Sequence, residues 1–282
     1  MVVTTLDQRY GEGRQIRNAI MAGLLGYDES PGIKLAPDLR RIVDEALFGS
    51  VWQRPALGFK DRSICTISAM TALRHLTQLR QHISAGLHLG LTPDQIVEIF
   101  IQLTFYVGVP TVEDALTLAS EVFEAEAIDF TPSVIYDTDR SVADLSDLGA
   151  RSLLEHIGDA TTYQTDDAES EEMQLDRLIN EYHWGAIYTR PHLDAKSRAI
   201  CALSAMTVLG HYDRQMRARI EGALRVGVKP SEIMELFIHL TLYGGYLTTR
   251  TSMLRIARSV FTEQGLQEPA GEREHRASTS ST

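Results

Sequence analysis

Residues 48–75 read FGSVWQRPALGFKDRSICTISAMTALRH, and residues 184–211 read WGAIYTRPHLDAKSRAICALSAMTVLGH. Laid 136 positions apart, Gly49 meets Gly185, Arg54 meets Arg190 and Pro55 meets Pro191. Lys60, Arg62 and Cys65 then meet Lys196, Arg198 and Cys201, the run closes with His75 opposite His211, and Glu45 and Glu181 align just upstream. After one inserted residue the agreement resumes 137 positions apart, with LRQHISAGLHLGLTPDQIVEIFIQLTFYVG at 79–108 against MRARIEGALRVGVKPSEIMELFIHLTLYGG at 216–245. There His82 meets Arg219, Gly90 meets Gly227, Pro93 meets Pro230, Gln102 meets His239 and Tyr106 meets Tyr243. Agreement of this length and order marks the duplication of a module of roughly 120 residues.

Each copy reads as helix. Ile64, Ile67, Ser68 and Thr71 share one face at helical spacing, which predicts a helix over 61–74. Thr92-Pro93-Asp94-Gln95 has the form of a helix start: a capping Thr, a Pro at the first position, and a Gln able to reach back. Ile96, Ile99, Phe100 and Leu103 form the stripe that follows, and Gly108 is read as its stop. Further helices are expected over 9–24, 38–47, 111–123 and 147–159, and no stretch alternates as a strand would. The chain therefore divides into a first module at 1–127, an acidic linker at 128–146, a second module at 147–264 and a disordered polar tail at 265–282. Within the linker, Phe130, Val134, Ile135 and Tyr136 are candidates to pack on a neighbour, and 165–172 is read as a solvated acidic loop or a helix start.

Composition narrows the function. At about 150 residues per domain, a chain of 282 residues suggests two domains. A net charge of −11 disfavours nucleic acid as a partner, since that binding needs a basic footprint. No apolar run approaches the length of a membrane span, and the N-terminus lacks a secretory pattern, so a cytoplasmic location is expected.

These motifs resemble the carboxymuconolactone decarboxylase family, which shares the all-α alkylhydroperoxidase D-like fold. The resemblance rests on Arg9-Tyr10 with Gly13, the stretch from Glu45 to Arg62, WGAIYTRPHLDAKSR, LRQHISAGLHLGLTPDQI and QLTFYVGVP. It implies helical modules that assemble as trimers or hexamers, and for a tandem chain a homo-oligomer such as a trimer with pseudo-hexameric symmetry. The thiol-redox branch of the superfamily is set aside. Its Cys-x-x-Cys pair is absent, and Cys65 and Cys201 read as small buried residues.

The resemblance also implies a pocket for a small-molecule substrate with a His and with acidic and basic groups. Decarboxylation of a carbonyl-bearing acid leaves an electron pair that donors or positive charge must stabilise, and a general acid must then protonate carbon. A substrate with its own carbonyl sink requires no metal or organic cofactor, so none is expected. His82 falls at the family's motif histidine and leads the catalytic candidates, so its replacement by Ala or Gln is expected to abolish turnover. Arg219 takes that place in the second copy. It cannot be a general acid near neutrality but can hold a carboxylate. Gln102 and His239 put a polar group on an otherwise apolar face, with Tyr106 and Tyr243 one turn on, so His239 and Tyr243 form a candidate proton-transfer pair. Arg62 and Arg198 are candidate carboxylate binders. Their retention in both copies favours instead a structural role, as helix-pinning pairs with Glu45 and Glu181. His75 and His211 are placed at helix ends or interfaces, and His88, His183 and His192 receive no role.

The family's Glu after the Arg of the basic segment is replaced by Ser63 and Ala199, which points away from the standard substrate. The leading reading is a cofactor-independent lyase or isomerase acting on a carbonyl-bearing acid or lactone, in aromatic catabolism or specialised metabolism. The alternative is an oligomeric scaffold or small-molecule binder that kept the fold. A closed polar cavity around the histidines distinguishes the two.

Overall fold

The computed structural model describes residues 5–21, 34–158, 171–210 and 213–266, and among them there is helix and no strand. His211, residues 165–170, the ends of the helices expected over 9–24 and 147–159, and residues 267–282 of the expected tail lie outside the described residues.

The first module runs α1 (Leu6–Met21), α2 (Pro37–Val43), a π-helix (Asp44–Trp52) continuing it, α3 (Phe59–Ala72), α4 (Leu76–His88), α5 (Pro93–Val107) and α6 (Val109–Ala125). The second repeats the order with α7 (Val142–His156), α8 (Glu171–Leu178), a π-helix (Ile179–Ile187), α9 (Ala195–Leu209), α10 (Asp213–Arg225) and α11 (Pro230–Gly244). It closes with α12 (Tyr246–Thr248), a π-turn (Thr249–Met253) and α13 (Leu254–Glu263).

Local chemistry sets these boundaries. Thr92 accepts from the Gln95 backbone N–H at 3.2 Å while the Gln95 side chain accepts from the Thr92 N–H, closing a capping box around Pro93. Ser141 and Asp194 cap α7 and α9 with a single side-chain bond each, accepting from the Asp144 and Ser197 N–H groups. Gly108 at φ +83° and Gly245 at φ +87° end α5 and α11 at equivalent positions, in a conformation that suits glycine. The helix of the second module begins at Val142, inside the stretch read as linker. Of the linker's apolar residues, Phe130 packs edge-on against Phe123 at 5.5 Å, whereas Val134 is 94% exposed. His75 is the residue that starts α4.

The modules are not two separate bodies. A single apolar core joins Ile64, Ile67, Ile99 and Phe100 of the first to Ile200, Leu203, Leu236 and Phe237 of the second. Helix α3 lies against α9, and each also meets the other module's stripe helix: α11 packs on α3, and α5 packs on α9. Cys65 and Cys201 are wholly buried, and burial pushes both thiols up to about 12. That leaves them protonated and unreactive near neutrality. Among the described residues no helix is long and apolar enough to cross a membrane.

Candidate active site

The exchange of α5 and α11 creates two composite sites. Each takes its floor from one module and one helix from the other, and the internal repeat lets each serve as a control for the other.

Both sites rest on the same ion cluster. In the first, Arg62 and Arg54 converge on Glu235 of α11, with Arg62 Nη2 at 3.0 Å and Arg54 Nη2 at 2.6 Å from its carboxylate. In the second, Arg198 and Arg190 converge on Glu98 of α5 at 3.0 and 2.9 Å. Arg62 also donates to the Leu57 and Arg54 carbonyls, and Arg198 to those of Leu193 and Arg190. The expected helix-pinning pairs exist, but the acid is Glu235 or Glu98 across the module boundary rather than Glu45 or Glu181. Glu45 instead accepts from Arg41 at 2.7 Å. Arg62 and Arg198 are sealed in these clusters, the former with no exposed surface. Buried charges of this kind hold only with complete pairing.

In the first site His239 is fully buried. Arg62 Nη1 lies 3.3 Å from its Nδ1, and since arginine only donates, Nδ1 is the acceptor. The proton therefore sits on Nε2, which donates to Thr66 Oγ1 at 2.8 Å while that hydroxyl donates to the Arg62 carbonyl. Burial, then Arg62 and His82, hold His239 well below the usual histidine range, so it is neutral with both nitrogens engaged. Tyr243 stands beside it, ring centres 5.2 Å apart, but its hydroxyl accepts from Trp52 Nε1 at 3.0 Å. The two residues expected as a proton-transfer pair are neighbours, but neither Nδ1 nor Nε2 of His239 is left for the exchange. His82 is 6% exposed and meets the Tyr243 ring edge-on at 5.6 Å. Burial lowers its pKa to about 4, so it is a free base at neutral pH.

In the second site Arg219 occupies the His82 position. Its guanidinium lies 4.6 Å from the Trp184 ring centre and faces the rings of Tyr106 and Tyr188 at 5.4 and 5.6 Å. Nη1 donates to Tyr188 Oη at 2.7 Å, and Nη2 donates to His183 Nε2 at 3.2 Å. Tyr188 and Tyr106 share a hydrogen bond of 3.1 Å between hydroxyls. Gln102 accepts from Arg198 Nη1 at 2.6 Å and so buttresses the ion cluster. Burial, then Arg219, hold His183 well below the usual range. His156 packs on Trp184 and Tyr188, donates from Nδ1 to the Ser152 carbonyl at 2.8 Å, and is likewise lowered by burial.

A cavity of about 240 Å³ opens against this second cluster, lined by Phe105, Tyr106, Ile179, His183, Trp184, Met206, Leu209, Gln215 and Arg219. It is smaller than the roughly 300–1,000 Å³ usual for ligand pockets. Its lining is mainly aromatic and aliphatic, with the donors of Arg219 and Tyr106 set among them. His82 and Arg219, the two exchanged motif residues, are not brought together: each belongs to its own site. Among the described residues no group of three or more His, Cys, Asp and Glu side chains is placed to hold a metal ion.

His183, Tyr188, Trp184 and His156 are site residues that sequence reasoning passed over. The signal was present. At the same 136-residue offset, His183 faces Leu47 and His156 faces Ile20, the apolar-to-polar exchange that drew attention to Gln102 and His239.

Comparison with known proteins agrees with this architecture. The sequence model of the carboxymuconolactone decarboxylase family matches twice, at residues 37–121 and 174–259. The chain is 29% identical over 119 residues to a 4-carboxymuconolactone decarboxylase of Acinetobacter baylyi, covering 42% of this chain and 89% of that protein. It is 30% identical over 122 residues to an uncharacterized 15.0 kDa protein of Paracoccus denitrificans, covering 43% and 91%. It is 25% identical over 115 residues to a nitrosuccinic acid decarboxylase of Metarhizium robertsii, covering 40% and 79%.

Proposed function

Because the chain belongs to the carboxymuconolactone decarboxylase family, we propose that it is a decarboxylase-like lyase whose reaction takes place in the cavity against Arg219. The observation that carries this reading is that cavity, where the Arg219 guanidinium and Tyr106, itself hydrogen-bonded to Tyr188, stand among apolar side chains. Its substrate is a small carboxylic acid bearing a carbonyl or lactone.

The mixture of donors and apolar side chains suits the direction of charge flow. Decarboxylation moves negative charge from the carboxylate to the carbonyl oxygen, so donors accelerate it only if they meet the oxygen that gains charge. The carbonyl lies toward Arg219 and Tyr106, and the departing carboxylate lies toward Phe105, Met206 and Leu209, where its charge is poorly solvated. The carbon–carbon bond breaks, its electron pair forms the enolate, and carbon dioxide leaves. The Tyr106 hydroxyl then protonates the carbon, and solvent restores its proton through Tyr188. The substrate's own carbonyl serves as the electron sink, so the scheme calls for no cofactor.

A second reading is favoured by one observation: His82, a free base at neutral pH, stands against Tyr243 in the first site. There it abstracts a proton from an uncharged carbonyl compound. The two readings separate by what they release or exchange. Carbon dioxide release from a panel of lactone and keto acids should fall at least a hundredfold in Arg219→Ala and survive in His82→Gln; the second reading predicts instead that uncharged ketones and lactones take up solvent deuterium and that His82→Gln abolishes the uptake.

We further propose that copies of the chain associate. Exposed apolar side chains recur at equivalent positions in both modules: Leu39 with Leu175, Ile42 with Leu178, and Phe105 with Leu242. Repeated exposure of this kind marks a contact surface. Light scattering should give a mass of three chains, and a monomer would contradict the proposal.

A further inference from the structure

The two copies share four of the nine residues that line the cavity and differ at the other five. Met206, Leu209, Gln215 and Tyr106 have Met70, Leu73, Gln78 and Tyr243 as counterparts. The hydrogen-bonded cluster at Arg219 differs. Arg219 stands where the first copy has His82, His183 where it has Leu47, and Tyr188 where it has Trp52. These are the three residues that touch one another: the guanidinium donates to Tyr188 Oη and His183 Nε2 at 2.7 and 3.2 Å. Leu47 offers no acceptor, and the indole of Trp52 is a donor only. An arginine placed in the first site would therefore find neither of the partners that it has in the second.

We infer that His183 and Tyr188 are positioning residues that seat Arg219, a role that rests on reading its cavity as the active site. Their two acceptors lie on different terminal nitrogens, so together they fix the plane of the guanidinium over Trp184. Both acceptors are neutral, so they orient the charge without cancelling it. The histidine side chain is suited to this because Nε2 must be unprotonated to accept from arginine, which leaves the proton on Nδ1. A carboxylate in the place of His183 would also orient Arg219, but it would neutralise the charge that an anionic ligand meets. The seat thus selects for a ligand presenting an oxygen anion or a carbonyl on its way to becoming one, held in a single orientation by a planar fork.

The test uses nuclear magnetic resonance of arginine side chains in the full-length protein, with Arg219 assigned from Arg219→Lys. In the free wild type the Arg219 terminal nitrogens should show hindered rotation. His183→Gln, which places an amide oxygen near the Nε2 position, should retain it, and His183→Leu, which restores the residue of the first copy, should release it, as should Tyr188→Phe in part. A thermal melt checks that each variant is folded. Equal rotation rates in wild type and His183→Leu would overturn the inference. Benzoate is then added as a flat anionic probe. It should shift the Arg219 signals and bind about tenfold more weakly to His183→Leu than to His183→Gln, the worth of one well-placed hydrogen bond. Benzoate that leaves Arg219 unmoved, in a protein whose guanidinium is nonetheless seated as described, would overturn the reading of the cavity and leave the seat standing.

Discussion

At the scale of the residue, four histidines are buried without charge. His82, His156, His183 and His239 are all lowered, with burial the first cause in each. Above about pH 6.5 such a histidine is neutral folded and unfolded, and it adds no pH dependence. Below that, the unfolded chain binds protons that the folded one refuses, so stability falls until the folded group also titrates. For His82 the window runs from about 6.5 down to about 4, and its full cost is about 3 kcal/mol. Denaturant midpoints should therefore drop from pH 7 to pH 4.5, and His82→Phe should reduce that drop whatever its stability at pH 7. An unchanged drop would show that His82 is not held as a neutral base. Glu98 makes the complementary case. It is the shared acid of Arg190 and Arg198, so Glu98→Ala strands a buried guanidinium and should cost about 3–5 kcal/mol in urea unfolding. A loss under 1 kcal/mol would mean that the cluster tolerates solvent.

At the scale of the element, the closest helix contacts turn on two glycines. A Cβ on Gly13 would lie 1.8 Å from the Asp44 carbonyl oxygen, and one on Gly149 would lie 2.0 Å from that of Asn180. In an ordinary helix interior Gly→Ala adds up to about 1 kcal/mol of stability. Here Gly149→Ala should instead lower the melting temperature, because α7 can no longer approach the π-helix that carries His183 and Trp184. A raised melting temperature would contradict this contact. The helices themselves were legible: period, the capping Thr92 and the glycine stop at Gly108 sufficed for α3 and α5. The π-helices were not. The helix expected over 38–47 continues to Trp52 with wider turns, and a 3.6-residue period carries no mark of that change. The error matters for the site, since Leu47, Trp52, His183 and Trp184 all stand on π-helical segments. Their facing positions could not be read from periodicity, although the polar exchange at Leu47 and His183 was visible in the aligned copies.

At the scale of the whole molecule, duplication accounts for both the fold and the two differing clusters at equivalent places. Each module lends its stripe helix to the other's site, and one core spans the two. Neither half can complete a site or bury its share of that core alone. Cleavage within residues 131–140, all exposed, should leave two fragments that elute together on gel filtration, while either half expressed alone should be unfolded. A folded, soluble single half would contradict the shared core. That the chain is a tandem repeat of helical modules could be read from the alignment of residues 48–75 with 184–211. The exchange of α5 and α11 could not, because it depends on packing between distant segments that no local pattern encodes. For the same reason the partners of Arg62 and Arg198 were sought within each copy and found across the boundary.

Whether chemistry belongs to the cavity at Arg219 is read from the release of labelled carbon dioxide from carboxyl-labelled lactone and keto acids by three proteins in parallel. Wild type and His82→Gln should release it at comparable rates, and Arg219→Ala should be slower by a factor of at least a hundred. Loss in His82→Gln with full activity in Arg219→Ala would contradict the account and return the active site to the histidine of the first copy.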